Sequence, residues 1–183
     1  FHLKLDKPLQ FQAGQYMQLE IPGLGESRAF SIANTPTDVA ATQSIELNVR
    51  RVSGGRGTAW LHKQARVGDR VRLAGPYGRF FVRTSSPLPM IFMAGGSGLS
   101  SPRSMIGELL ANGCTTPITL VYGQRTLAEL YYDAEFRALA ERHPNFHYVP
   151  ALSEPADGAD AHTWTGARGF VHEAAKAHFP RGF

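Results

Sequence analysis

The chain has 183 residues, of which 43% are hydrophobic, and a formal net charge of +4. None of its apolar runs approaches the roughly 20 residues that cross a bilayer as a helix, which excludes a helical membrane protein. Its single cysteine, Cys114, excludes an internal disulfide and an iron–sulfur cluster, which needs about four ligands, and fits a reducing, cytoplasmic compartment.

The positive charge is concentrated in the first half of the chain. Residues 1–86 carry 12 basic and 6 acidic side chains, a net charge of +6, whereas residues 87–183 carry 7 and 9, a net charge of −2. A basic half suits an anionic cofactor, an acidic protein or nucleic acid, so the charge alone leaves these partners open. The histidines show no ligand spacing, and no metal site is predicted.

Residues 1–86 are predicted to form a domain of antiparallel strands. Apolar and polar residues alternate at 17–21, 45–49 and 71–73, which is typical of strands with one buried face. Turn-forming clusters separate these segments, at 22–25, 35–38, 53–57, 67–69 and 75–78. One short helix is predicted among them, from about Thr58 to Ala65. The pattern favours a small barrel or sandwich.

Residues 87–183 are predicted to form an α/β domain, with the domain boundary near Ser85–Pro89. Strands are predicted at 90–94, 118–122 and 146–152, because these are short apolar runs typical of strands buried on both faces. Helices are predicted from an N-cap at Ser101 with Pro102 as the first helical residue, from about Ala128 to Arg142, and over Val171–His178. The alternation implies a parallel sheet with right-handed crossovers. An exposed loop is predicted over Glu154–His162.

A glycine-rich segment, Gly95-Gly96-Ser97-Gly98, joins the first of these strands to its helix. Glycines let the backbone approach a ligand closely, and a helix start offers unpaired N–H groups to an anion. This is where an open α/β sheet binds nucleotides. The spacing is neither that of the dinucleotide fingerprint nor that of a Walker loop, so a tight turn without a ligand stays open as the alternative.

Three weaker motifs lie in the first half. Arg28-Ala29-Phe30-Ser31 combines a guanidinium suited to a pyrophosphate, an aromatic ring suited to a flat cofactor, and a hydroxyl. Residues 53–58 (SGGRGT) are a possible anion cradle that runs into a helix, and residues 75–80 (GPYGRF) are a turn. Each of the three taken alone has a structural explanation that is as good or better.

Taken in order, the four motifs resemble those of the ferredoxin–NADP reductase superfamily over nearly the whole chain. Within that superfamily, the stretches RAFSIANTP, GGSGLSSPRSMI, LVYGQRTLAELYY and GARGFVHEA are similar to the reductase components of multicomponent phenol and toluene hydroxylases. The resemblance implies an antiparallel Greek-key β-barrel that binds FAD, followed by a parallel-sheet nucleotide-binding α/β domain, incomplete at its C-terminal end. It implies electron transfer from NADH through FAD to a 2Fe-2S centre and on to an aromatic-ring monooxygenase.

The resemblance also implies roles for residues of the flavin site. Arg28 would hold the FAD diphosphate, and Phe30 would pack along the flavin. Ser31 would lie near the reactive flavin nitrogen, as the catalytic residue. Three further residues would cap the diphosphate: Arg56, Gly57 and Thr58.

For the second nucleotide, the resemblance implies that the NAD(P)H diphosphate binds at Gly95, Gly96, Ser97 and Gly98. Arg125, at the end of the second strand of the α/β half, could meet the 2′-phosphate of NADPH, and no acidic residue is expected beside it to bind a free ribose. Hydroxylase reductases usually prefer NADH, so NADH is predicted, with NADPH left open.

Three departures from the family pattern matter. The cysteines that bind the cluster are missing, so the 2Fe-2S cluster is expected only on an absent N-terminal domain. The Cys-Gly-Pro-Pro stretch near the family's C-terminus is missing too, and we interpret the chain as a fragment cut at both ends. Its glycine-rich loop reaches Pro102 one residue later than is usual, which leaves the phosphate contacts open.

Two other functions remain open. A stand-alone flavin reductase, or another ferredoxin reductase-like protein, would lack a Cys-x4-Cys-x2-Cys pattern upstream of Phe1. A basic β-barrel that binds nucleic acid would suit the charge of the first half, but it would not explain the α/β half. The predicted partners are therefore NAD(P)H, an iron–sulfur domain and an oxygenase, with neither nucleic acid nor a membrane.

Overall fold

The computed structural model describes residues 1–83, 88–154 and 164–182. The elements of the first half are β1 (His2–Lys4), β2 (Tyr16–Ile21), β3 (Glu26–Ser31), α1 (Pro36–Thr42), β4 (Ser44–Glu46), α2 (Arg56–Lys63) and β5 (Arg72–Tyr77). Those of the second half are β6 (Met90–Gly95), α3 (Ser100–Ala111), β7 (Ile118–Gln124), α4 (Asp133–Arg142), β8 (Phe146–Leu152), β9 (Ala167–Arg168) and α5 (Val171–His178). The predicted domain boundary lies largely outside the described residues, as does the predicted loop after Glu154.

Antiparallel sheets surround the apolar core of the first half. β2 pairs with β3 on one side and with β5 on the other, while β1 pairs with β4. The predicted alternation is present in β2, where Met17, Leu19 and Ile21 are buried and the residues between them are exposed. Ile45 and Leu47 complete this core from the segment of β4.

The second half is a parallel sheet covered by helices on both faces. Its strand order is β6-β7-β8-β9, with β6, β7 and β8 in continuous parallel register. The helices α3 and α4 pack on one face, around Ile106 and Phe136, and α5 packs on the other through Ala174 and Ala175. β7 is buried on both faces, as its unbroken apolar run predicts. The predicted order of a strand-rich half followed by an α/β half is confirmed.

The helices of the first half differ from the sequence prediction. A turn was expected at 35–38, but α1 begins there, with Thr35 as N-cap and a capping box to Asp38. Pro36 in the first turn is a further signal for a helix start. The helix is only seven residues long, too short to show a helical pattern of apolar residues. The second helix was expected from about Thr58 to Ala65, but it spans Arg56–Lys63, with Gly55 as its N-cap.

Two predicted helices of the second half are also corrected. A 3₁₀ turn over Gly96–Leu99 leads directly into α3, so Ser101 is not the N-cap and Pro102 is not the first helical residue. The Ser101 hydroxyl instead donates to the Gly14 carbonyl, 3.3 Å away. The long helix expected from Ala128 is interrupted: a 3₁₀ turn at Leu127–Glu129 precedes α4, and left-handed Tyr132 (φ 63°) separates them.

Candidate functional site

Two arginines of the first half converge on one carboxylate. Arg28 of β3 forms an ion pair with Glu26, and Arg56, the first residue of α2, lies 3.2 Å from the other oxygen of the same carboxylate. Gly57 makes this approach possible, because a Cβ there would lie 3.2 Å from Arg28 Cγ. The structure therefore brings together three predicted residues in a partly exposed site that suits an anion.

The start of α2 adds backbone donors to this site. No side chain caps the helix at Gly55, and among the described residues no acceptor bonds to the backbone N–H groups of residues 56–58. Unpaired N–H groups and the helix dipole both favour an anion at this position. The Thr58 hydroxyl is already engaged, since it donates to the Gly55 carbonyl at 3.3 Å and accepts from the Val52 N–H at 3.2 Å.

The other two residues of the first motif lie further along β3. Phe30 is half-buried and packs against the core of the first half. Ser31 lies opposite Tyr16 in the sheet, and in the described part of the chain its hydroxyl has no hydrogen-bond partner. Phe30 shares the side of β3 that Arg28 occupies, since the two are two residues apart. A ring and a guanidinium are thus presented on one side of one strand.

A cleft of about 470 Å³ opens at the carboxyl ends of the parallel strands of the second half. Gly95, Gly96 and Ser97 line it, whereas Gly98 does not. A Cβ at Gly95 would meet only the Gly123 carbonyl, at 3.6 Å, and one at Gly98 would meet no atom within 4 Å. Contacts within the chain therefore do not require glycine at these two positions, but close approach of a ligand to the backbone would.

Arg125 lines the same cleft and has an acidic neighbour. Its guanidinium forms a two-pronged ion pair with Glu129, with distances of 2.7 Å (Nη2–Oε1) and 3.2 Å (Nε–Oε2). This hydrogen bonding lowers the pKa of Glu129, which stays ionised at neutral pH. The expectation that no acidic residue lies beside Arg125 is wrong. The 3₁₀ turn that replaces the predicted helix carries Glu129 back to the cleft.

Sequence reasoning missed several residues that line the cleft. Arg50 comes from the first half, and Tyr131, Ser153 and Phe170 come from separate segments of the second half. Phe170 is 62% exposed at the rim, a high value for a large aromatic side chain. Its exposure has no signal in the sequence, and neither has the position of Arg50, because only the folded chain brings these segments together.

A second cleft of about 430 Å³ adjoins the first. It lies between the halves, and its lining includes Asn48 of the first half and Tyr132 of the second. Arg50, Ser97 and Tyr131 line both clefts. The segment after β4 and the glycine-rich loop therefore face a shared space.

Two classes of site are not found in the described part of the chain. No group of three His, Cys, Asp or Glu side chains there could hold a metal ion. None of the helices in these same residue ranges combines the length and the apolar character that crossing a membrane requires.

Comparison with known proteins assigns both halves. A family model described as an oxidoreductase FAD-binding domain matches residues 1–82, and one described as an oxidoreductase NAD-binding domain matches residues 92–181. The chain is 55% identical, over 182 residues, to the reductase component DmpP of phenol 2-monooxygenase from Pseudomonas sp. (strain CF600). It is 49% identical over 177 residues to the phenol hydroxylase P5 protein of Acinetobacter pittii (strain PHEA-2).

These matches cover nearly all of this chain but only part of each relative. The chain spans 50% of the Pseudomonas protein and 48% of the Acinetobacter protein, about half the length of the curated relatives it matches. Among solved structures, the Amycolatopsis cytochrome P450 reductase GcoB superposes with a TM-score of 0.86 at 36% identity. That match covers 98% of this chain and 52% of GcoB.

Proposed function

Since the chain belongs to the ferredoxin reductase family, with an FAD-binding domain ahead of an NAD-binding domain, we propose that it is the flavin and nicotinamide part of a phenol hydroxylase-type reductase. It passes electrons from NADH through FAD to a 2Fe-2S centre outside this chain, and on to an aromatic-ring monooxygenase. The observation that carries the proposal is the shared space between the halves, which Arg50 lines together with the glycine-rich loop. The domains are residues 1–86 and 87–183.

The residues of the first half fit FAD. Arg28 and Arg56 both pair with Glu26 at an exposed site. Two guanidiniums and a helix N-terminus can bind the two negatively charged groups of a diphosphate, whereas Glu26 offers a single carboxylate. Arg28, Arg56 and the backbone of Gly57 and Thr58 therefore hold the diphosphate. Exposed ion pairs contribute only about 0–1 kcal/mol to stability, so the diphosphate can replace the Glu26 carboxylate as the partner of the two arginines.

Phe30 and Ser31 are assigned to the isoalloxazine ring. Phe30 supplies an apolar surface, and Ser31 supplies a hydroxyl that other described residues leave unpaired. When bound, FAD accepts a hydride from NADH and releases the two electrons singly. The chain's own residues orient the two nucleotides, and none of them needs to act as a general acid or base.

The residues of the second half fit a nicotinamide dinucleotide. The backbone of Gly95, Gly96 and Ser97, with the open space beside Gly98, receives the diphosphate. Arg50 reaches the same cleft from the flavin domain and supplies a positive charge. Binding of the dinucleotide therefore draws on residues of both domains.

The cleft favours NADH over NADPH. Glu129 occupies Arg125 with a two-pronged ion pair, which leaves this arginine less able to receive a 2′-phosphate. A carboxylate also accepts hydrogen bonds from the hydroxyls of an unmodified ribose and repels a phosphate. The positive charge of Arg125 alone favours NADPH, but its ion pair with Glu129 removes that preference.

The partners follow from the charge and from the relatives. The net charge of +6 on residues 1–86 suits an acidic iron–sulfur domain as well as FAD. The 55% identical relative is named as the reductase component of a phenol monooxygenase, which supports an oxygenase as the final electron acceptor. A single cysteine, not part of any disulfide, supports a cytoplasmic location.

An absorption spectrum tests the proposal. The chain is reconstituted with FAD, freed of unbound flavin by gel filtration, and then titrated with NADH without oxygen. We expect a bound-flavin spectrum that bleaches with NADH and at most weakly with NADPH. Loss of all flavin on the column, from a chain whose circular dichroism shows it to be folded, would overturn the assignment of the first half. Bound flavin that neither coenzyme bleaches would overturn hydride transfer by this chain.

A further inference from the structure

Arg103 of α3 connects the two halves of the chain. Its Nη1 donates to the Ala33 carbonyl at 3.0 Å and to the Glu46 carboxylate at 2.8 Å, both in the first half. Its Nε and Nη2 donate to the two carboxylate oxygens of Glu135 of α4, at 2.8 and 2.9 Å. One guanidinium therefore holds β4 of the flavin domain and α4 of the nucleotide domain together.

Tyr132 completes this network. Its ring lies under the guanidinium, with Arg103 Cζ 4.1 Å from the ring centroid. Its hydroxyl donates to the Glu46 carboxylate, and Asn48 Oδ1 lies 2.7 Å from the hydroxyl oxygen. Tyr132 has a left-handed backbone, which is uncommon for a bulky residue and persists only where surrounding contacts stabilise it. The contact with Arg103 is such a contact.

The ionic part of the network is largely buried. The side chains of Arg103 and Glu46 are 15% and 14% exposed. Burial alone would raise the pKa of Glu46, but the hydrogen bond from Tyr132 and the charge of Arg103 outweigh it and hold this pKa below its ordinary value. Glu135 is 38% exposed, so solvent can compensate its charge. Removing the guanidinium would leave the Glu46 carboxylate largely buried without its cation, which is more disruptive than losing an exposed ion pair.

Other contacts place α3 against the first half but form no ion pair with it. The Glu108 carboxylate accepts from the Thr37 N–H at 3.2 Å and from the Thr37 hydroxyl at 3.1 Å. The Ser104 hydroxyl donates to the Asn34 carbonyl at 2.8 Å, and a Cβ at Gly107 would lie 2.7 Å from Thr35 Cγ2. These contacts bring the helix close to the flavin domain. Among the described residues, Arg103 is the side chain that forms one ion pair across the two domains, with Glu46, and a second one with Glu135 of α4.

Three residues of the network, Arg103, Glu46 and Tyr132, lie close in sequence to residues that line the clefts. Arg103 lies near the start of α3, which the glycine-rich loop enters. Glu46 precedes Asn48 and Arg50, and Tyr132 follows Tyr131. We propose that Arg103 is a positioning residue that fixes the glycine-rich loop relative to the flavin domain, and thereby the distance for hydride transfer. The effect of Arg103 on hydride transfer rests on the proposed function, whereas its effect on domain orientation does not.

Spin-label distances test the orientation without any cofactor. Lys63 of α2 and Lys176 of α5 are exposed residues of opposite domains, and each is replaced by cysteine in a Cys114→Ser background. We expect one narrow distance distribution in the parent chain. In Arg103→Met it should broaden by about twofold or more, because domains without a firm interface move relative to each other. Arg137→Met is the matched control, since the ion pair of Arg137 with Asp133 and its contact with the Tyr148 ring both lie within the second half.

Flavin reduction supplies the second readout. In Arg103→Met loaded with FAD, the rate constant at saturating NADH should fall about tenfold to a hundredfold, as expected for a misplacement of about 1 Å. The dissociation constant for NADH should change by less than about threefold, since Arg103 does not line the nucleotide cleft. A merely structural role would lower the melting temperature and leave the rate of the folded protein unchanged.

Two milder variants keep the proposal testable if Arg103→Met fails to fold. Arg103→Lys keeps the charge but loses the two-pronged bond, and Tyr132→Phe removes only the hydroxyl. Both should show intermediate widths and rates. Parent-like distances and rates in the folded variants would overturn the proposal. Parent chain that never bleaches with NADH would overturn the proposed function instead, and the distances would still decide the role of Arg103 in orientation.

Discussion

The two nucleotide sites use glycine for opposite reasons. At the flavin site, Gly57 is buried, and a side chain there would press on Arg28 Cγ at 3.2 Å. At the proposed nicotinamide site, Gly95 is exposed and lines the cleft, and a side chain there would meet only the Gly123 carbonyl, at an ordinary contact distance of 3.6 Å. The first glycine gives space to the chain's own arginine, whereas the second gives space to a ligand. The same residue type therefore supports stability at one site and binding at the other.

The sites also differ in what carries the positive charge. Arg28 and Arg56 belong to the same domain as the cradle they form, and they converge on one carboxylate. The nicotinamide cleft combines backbone N–H groups with Arg50 from the opposite domain. On the proposed assignment, FAD binding is a property of one domain, while NADH binding depends on how the two domains are arranged. This difference can be tested by changing one site at a time.

The largest effect is expected from Arg28→Met. It removes a guanidinium from the diphosphate site, and hydrogen bonds to charged groups contribute about 1.5–3 kcal/mol, so the affinity for FAD should fall about tenfold to a hundredfold. Fluorescence titration with FAD measures this. Arg72→Met is the control, because Arg72 is an exposed arginine of the same sheet, 4.0 Å from Glu20, and lies outside the cradle. Equal losses in the two variants would mean that overall charge, rather than the cradle, holds FAD.

A pair of alanine substitutions tests the contrast between the glycines. Gly57→Ala should destabilise the chain by about 1–2 kcal/mol, since Arg28 or β2 must move, and should weaken FAD binding with it. Gly95→Ala should leave stability unchanged or slightly raised, because the backbone there is extended (φ −140°, ψ 141°) and the added Cβ would make only an ordinary contact. It should nevertheless weaken NADH binding about tenfold. Urea unfolding and NADH titration measure the two effects, and a loss of stability in Gly95→Ala would contradict the distinction.

The sequence predicts the local parts of both sites. Arg28-Ala29-Phe30-Ser31 and the glycine-rich loop are short segments whose chemistry can be recognised from neighbouring residues. Arg50, Tyr131 and Phe170 are not recognisable in this way, because each is an ordinary residue in its own segment. Tyr131 and Phe170 reach the first cleft when the second half folds, and Arg50 reaches it when the two halves pack together. Local patterns encode neither event.

The fold shows the same limit. Buried strands of the second half were predicted within one or two residues at each end, because burial on both faces leaves a strong signal. The helix predicted from about Ala128 to Arg142 ends as expected but begins only at Asp133, after Tyr132 in a left-handed conformation in contact with Arg103. That interruption comes from a tertiary contact, which helical periodicity does not reveal. It also brings Glu129 to the cleft, where its ion pair with Arg125 removes the local charge argument for NADPH and leaves the predicted coenzyme, NADH, unchanged.

The smallest effect is expected from Glu129→Gln, which sharpens the contrast between side-chain and backbone recognition. The amide frees Arg125 for a 2′-phosphate and removes the carboxylate that repels it, so the ratio of NADH to NADPH affinity should fall about tenfold. Competition of the two coenzymes for the FAD-loaded chain measures this ratio. Asp133→Asn removes a similar i,i+4 ion pair, with Arg137, outside the cleft, and should leave the ratio unchanged. An unchanged ratio in Glu129→Gln would mean that the backbone cradle alone selects the coenzyme. FAD affinity should be the same in both variants, because neither residue reaches the flavin domain's cradle.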